Sequence, residues 1–277
     1  MERQPSADSP RPDTPGHVLL LHGMGCGPWV WRDVTAALPA HLTPVAATIA
    51  GHRGGTRLER RADRRAPDQM LDDLERQLDD LGLARVHVVG NSLGGWLALR
   101  LAERGRALSA LCLAPAGGWR PGSLGERMVV SRFVVGHRFA RRVARSPRLL
   151  RSAGFRRTMM APVAHQPARI PYEDAVTFVS DLADCQALRA AIGHPEAREL
   201  DAILRLGAPT TIAWSGDDKV LSGPWAREGF AHLGADEITV PGVGHLPMLD
   251  DPRGVAALVA ARVSGSLPPG RTASRAG

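Results

Sequence analysis

The sequence predicts an α/β fold: a mostly parallel central sheet with helices on both faces and a helical cap inserted between two of its strands. Three observations carry that expectation. Short runs that are apolar on both faces alternate with helical patterns over residues 17–117 and 199–263, and such alternation builds a parallel sheet covered on both sides. Residues 118–198 break the rhythm and read mostly helical. The chain has 277 residues, 44% hydrophobic and 23% charged, which suits one large domain with an insertion that needs no disulfide or metal to close its core.

The elements follow in order. Residues 1–16 carry Pro5, Pro10, Pro12 and Pro15 among polar residues and read as a disordered lead. His17 to His22 is the first strand, stopped by Gly23. Trp29 to Leu38 reads as a helix, and Thr43 to Ala50 as a strand running into Gly51-His52-Arg53-Gly54-Gly55. Asp68 to Leu81 places Met70, Leu71, Leu74, Leu78 and Leu81 on one helical stripe, ended by Gly82. Arg85 to Val89 is a strand, Leu93 to Arg104 a helix and Ala107 to Ala114 a strand. After the insertion come a short helix ending at Gly207, a strand from Pro209 to Trp214 and a helix from Pro224 to Leu233. A strand from Glu237 to Val240 and a helix from Pro252 to Val263 complete the core, and 264–277 reads as a disordered tail. The total is six strands, with the insertion after the fourth.

Charge and cysteine content narrow the function classes. The net charge is +7, and 34 of the 35 basic residues are arginines. Eleven arginines against one acid lie between Trp119 and Arg157, leaving the rest of the chain at −3. A charge confined to one segment argues against a nucleic-acid-binding protein. It fits solvated arginines, a surface that steers acidic substrates or partners, or contact with a membrane surface. No apolar run is long enough to span a membrane, and the lead lacks the apolar stretch of a signal peptide. Cys26, Cys112 and Cys185 form no spaced framework and read as reduced thiols. A cytoplasmic protein without cofactor or metal, acting on a small molecule, is the expectation; oligomeric state is unspecified.

The chemistry concentrates at strand ends. Gly90-Asn91-Ser92-Leu93-Gly94 lies between an apolar strand and a helix. In that position a tight turn lifts the Ser92 hydroxyl above the sheet edge, with small neighbours avoiding clashes. A serine needs a base, and His245, on the glycine-bearing loop Gly242-Val-Gly-His245 after the last strand, is the candidate. The base needs an acid, for which Asp217 and Asp218 both qualify after the fifth strand. His22-Gly23-Met24-Gly25-Cys26-Gly27 follows the first strand, and the amides of Met24 and Leu93 are the expected oxyanion donors. The glycine-rich loop matches neither a phosphate cradle nor a dinucleotide fingerprint.

Taken together these motifs resemble the α/β-hydrolase superfamily over residues 17–117 and 199–263. The resemblance implies a serine hydrolase that cleaves a carboxylic ester, thioester or lactone through an acyl-serine. Relatives commonly place the acid four residues after a Trp at the strand end, which selects Asp218, counted from Trp214. Trp31 matches a packing tryptophan behind the oxyanion loop, and His22 a brace for that loop. The family's N-terminal hairpin has no room before His17, and its proline after the acid is Ser222 here. A cap over the serine places substrate contacts at Trp29, Trp119, Met128 and Met159. Met160 is a further candidate, while His137, His165 and His194 read as surface or packing of the insertion. The same triad in relatives also cleaves carbon–carbon bonds or acts as a cofactor-free perhydrolase. A ligand-binding protein with a vestigial triad is the reading from another class. An aspartate nucleophile, as in related epoxide hydrolases, is disfavoured by Ser92.

Overall fold

The computed structural model describes residues 16–59, 64–193 and 200–267. The proline-rich lead before Gly16, most of the tail and His194 lie outside the described residues.

Six strands form one sheet in the order β2-β1-β3-β4-β5-β6. They are β1 (His17–Leu21), β2 (Thr43–Ala47), β3 (Val86–Asn91), β4 (Ala107–Leu113), β5 (Thr210–Ser215) and β6 (Asp236–Val240). Every pairing is parallel. All strands therefore end at one edge, and the loops that follow them share a rim. β3 and β5 are buried at every position, as central strands covered on both faces must be.

Helices α1 (Arg32–Ala37), α2 (Ala66–Asp80), α3 (Leu93–Glu103), α8 (Pro247–Asp250) and α9 (Pro252–Val263) belong to the sheet layers. α2 buries Met70, Leu71, Leu74 and Leu78 as its periodicity requires. Leu81 departs from that stripe and is 56% exposed. The chain reverses at Gly82 (φ +72°), the Leu83 amide donates to the Leu78 carbonyl, and Leu83 is the residue that is buried after the turn.

Between β4 and β5 run α4 (Leu124–Val143), α5 (Ala153–Met160), α6 (Tyr172–Asp184) and α7 (Gln186–Gly193). Ser123 and Ser152 cap α4 and α5 by accepting the amides of Glu126 and Phe155. α4 turns Val129, His137, Ala140 and Val143 inward. Its outward arginines Arg127, Arg138, Arg141 and Arg142, with Arg145 and Arg148 beyond it, are exposed and have no carboxylate partner among the described residues. None of the described helices is long and apolar enough to cross a membrane.

Three helix expectations need correction. The segment from 29 opens as a 3-10 turn, Pro28–Trp31, before α1. Residues 200–207 form no helix, because their backbone is bonded elsewhere. The Leu204 amide donates to Glu103, while the carbonyls of Asp201 and Ile203 take Trp96 Nε1 and His232 Nε2. Residues 224–233 form two short 3-10 turns instead of a helix. There the Gly229 amide is drawn to the Gly118 carbonyl at 2.7 Å, diverting a helical donor into a tertiary bond.

Candidate active site

Ser92 sits between β3 and α3 with φ 54° and ψ −115°. A non-glycine residue there is strained by about 1–3 kcal/mol and persists only when its surroundings over-determine it. They do: the Ser92 amide donates to Leu113, and its carbonyl accepts from Trp96 and Ala116. The flanking glycines are obligatory. A Cβ on Gly90 would stand 2.0 Å from the Gly94 carbonyl oxygen, and one on Gly94 would stand 2.3 Å from that of Leu21. The turn thus closes only because the strand, helix and neighbouring strand can touch backbone to backbone.

His245, after β6, is 4% exposed. Its Nδ1 donates to Asp218 Oδ2 at 2.8 Å, which leaves Nε2 as the basic nitrogen. The other Asp218 oxygen accepts the amides of Val220 and Leu221 at 2.7 and 2.8 Å. Burial opposes the Asp218 charge, yet the His245 charge, the hydrogen bond to it and the two amides outweigh burial and hold the carboxyl below its ordinary range. Asp217 points the other way, is exposed, and pairs with His165 Nδ1 at 3.2 Å.

Ser92 and His245 line one cavity of about 580 Å3, together with Gly23 and Met24. The amides of Met24 and Leu93 have no hydrogen-bond partner among the described residues. Beneath the Met24 loop, His22 Nδ1 donates to the Gly23 carbonyl and Nε2 accepts the Ile49 amide. His52 stacks edge-on against it at 4.8 Å. Burial, with His52 adding to it, lowers the His22 pKa to about 3, and burial lowers that of His52 to about 4. Trp31 is fully buried.

The four sequence candidates for substrate contact divide evenly. Met159 lines the large cavity, and Trp119 lines a smaller one that also reaches Ser92. Trp29 lines neither; its indole nitrogen donates to the buried Asp181 carboxylate at 2.9 Å. Met128 lines neither and is 43% exposed, because the α4 face that turns inward carries Val129 and leaves position 128 outside. Met160 is buried in packing. His137 is buried and donates from Nδ1 to the Leu182 carbonyl.

Two residues at the rim escaped sequence reasoning. Asn91 donates from its amide nitrogen to the His245 carbonyl at 2.9 Å and to that of Leu113 at 3.2 Å, tying the histidine loop to the serine turn. A polar side chain ending an apolar strand was its only signal. Asp250 accepts the amides of Gly244, His165 and Gln166, each at 2.8 Å. Nothing in the sequence set it apart from Asp251, which caps α9.

The chain is similar to several known proteins. Epoxide hydrolase EphH of Mycobacterium tuberculosis is 31% identical over 215 residues, 72% of this chain and 95% of that protein. A dihydrolipoyllysine-residue acetyltransferase component of the acetoin cleaving system of Pseudomonas putida is 26% identical over 246 residues, 84% of this chain and 59% of its own length. Among solved structures, a thermophilic esterase from Thermogutta terrifontis aligns with a TM-score of 0.67 at 20% identity, covering 90% of both chains. The meta-cleavage product hydrolase CumD from Pseudomonas fluorescens aligns at 0.65 with 19% identity and 91% of both chains. The model of the alpha/beta hydrolase family matches residues 18–258. With a parallel sheet whose rim gathers Ser92, Asp218 and His245, and with that match across most of its length, the chain belongs to the α/β hydrolase family.

Proposed function

We propose that this hydrolase cleaves a carboxylic ester, thioester or lactone of a small organic substrate through an acyl-serine, beneath a cap formed by residues 118–198. The observation that supports this best is the Asp218–His245 pair at 2.8 Å, whose histidine lines the cavity that Ser92 also lines. Asp218 fixes the tautomer, so His245 Nε2 takes the Ser92 proton as the hydroxyl oxygen attacks the carbonyl carbon. The Met24 and Leu93 amides, at a loop and a helix N-terminus, hold the oxyanion. His245 then protonates the departing alcohol; it next takes a proton from water as the water oxygen attacks the acyl carbon, and gives that proton to the Ser92 oxygen as the acyl–serine bond breaks and the acid leaves. The apolar cavity wall, including Phe178, Leu182 and Leu246, suits an apolar substrate.

The likeness to an epoxide hydrolase favours a second reading, ring opening of an epoxide. Chemistry weighs against it. A carboxylate that attacks an epoxide forms an ester that water can cleave, whereas Ser92 would form an ether with no easy exit. Carbon–carbon cleavage or perhydrolysis on the same groups, and ligand binding without turnover, are the remaining alternatives. The test is turnover of p-nitrophenyl esters from acetate to octanoate by the wild type and Ser92→Ala. The expected result is an active wild type and a loss of at least about 10⁴-fold in the variant, with Ser92 labelled by a fluorophosphonate. No turnover and no labelling would defeat the proposal.

A further inference from the structure

Ser92 stands where two unequal cavities meet. The larger, about 580 Å3, carries His245, Leu246, Phe178 and Leu182 on its wall. The smaller, about 90 Å3, carries Leu93, Trp119, Leu188 and Ala191. Ser92, Met24 and Phe133 line both. His245 borders only the larger lobe, and Leu93 only the smaller.

Those two placements orient a bound ester. When Ser92 attacks, three substituents on the carbonyl carbon must be housed besides the serine oxygen. The oxyanion goes to the amides of Met24 and Leu93. The leaving oxygen must lie beside the general acid, His245, since that nitrogen delivers its proton. The alcohol arm therefore runs into the lobe that His245 borders, and the acyl arm takes the other. The larger lobe is apolar along Phe178, Leu182, Met159 and Leu246; apart from Ser92 and His245, its polar lining is Ser131, Arg132, Thr158 and Lys219, all exposed.

Building on the ester reading above, we infer that the substrate is an ester of a short acyl group and a long or bulky apolar alcohol. After the C–O bond breaks, the alcohol leaves with the proton from His245. The short acyl group stays on Ser92 in the small lobe until water releases it.

Isomeric esters test this without a change in composition or total apolar bulk: hexyl acetate carries its chain on the alcohol, methyl heptanoate on the acyl side. The expected kcat/KM favours hexyl acetate by at least about tenfold, the scale at which a pocket discriminates a few methylenes. Leu188→Ala, which widens the small lobe, should move that ratio toward methyl heptanoate. Leu182→Trp, which narrows the large lobe, should also move it that way by slowing hexyl acetate. The ratio is internal to each preparation, so partial misfolding of a variant does not mimic the result. A preference within about threefold of unity or reversed in the wild type, or a ratio unmoved by both variants, overturns the assignment of lobes while the ester reading stands. Refusal of both isomers and of the p-nitrophenyl esters by a protein whose Ser92 is labelled by a fluorophosphonate defeats the ester reading, and this assignment with it; refusal of the isomers alone overturns only the assignment.

Discussion

Asp218 is held by three hydrogen bonds, two from backbone amides and one from His245. The amides occupy one oxygen and so turn the other toward the ring. In Asp218→Asn the side chain offers an N–H where the ring needs an acceptor, so the other tautomer, with its proton on Nε2, becomes favoured. The expected loss in kcat is about 10³–10⁴-fold with KM little changed; a loss below tenfold in steady-state assays would remove Asp218 from the mechanism. Neighbouring carboxylates on one loop were ambiguous in the sequence. Spacing from Trp214 pointed to Asp218 only through a family resemblance. The physical decision is one of direction: adjacent side chains leave the backbone on opposite sides, and here Asp217 meets solvent and His165.

At the level of elements, His245 is held by what packs around its loop. Asp250 in α8 gathers the amides of Gly244, His165 and Gln166, and the Leu246 amide donates to the Val163 carbonyl. The histidine loop and the insertion are therefore stitched into one unit. Asp250→Ala leaves three amides without their acceptor and loosens both. Its expected outcome is a fall in kcat of about 10–100-fold, because a small displacement of a catalytic group is costly, with melting lowered by a few degrees. Equal kcat in the variant would show that the loop keeps its geometry unaided. The central strands were legible because burial on both faces leaves an unbroken apolar run. The expected helices at 200–207 and 224–233 failed for the opposite reason. Their backbone groups are bonded to distant partners, Glu103, Trp96, His232 and Gly118, and no local pattern announces a distant partner.

For the molecule as a whole, the buried His22–His52 pair sets an acid limit. Both rings are neutral in the folded state, with pKa values lowered to about 3 and about 4 chiefly by burial. In the unfolded chain each titrates near the ordinary value of about 6.5. Below that value the unfolded state binds more protons, so stability falls with acidification. Each histidine contributes a slope of up to about 1.4 kcal/mol per pH unit, from about pH 6.5 down to its folded pKa. Urea unfolding at stepped pH should show this slope above pH 4.5, where few carboxylates contribute. Flat stability between pH 6.5 and 4.5 would mean that the pair is hydrated or charged in the folded state.

By itself the sequence determined the strand–helix rhythm, the parallel sheet, and which residue types stand at its rim, Ser92, His245 and a pair of aspartates. Those are local properties, written in periodicity, glycine placement and apolar runs. Only the tertiary structure decided which aspartate meets the histidine, that Asn91 and Asp250 tie the loop in place, and that Trp29 and Met128 lie outside the cavities while Trp119 and Met159 line them. These depend on the direction of a side chain relative to elements far away in the chain, and packing sets that direction only once the whole core has closed.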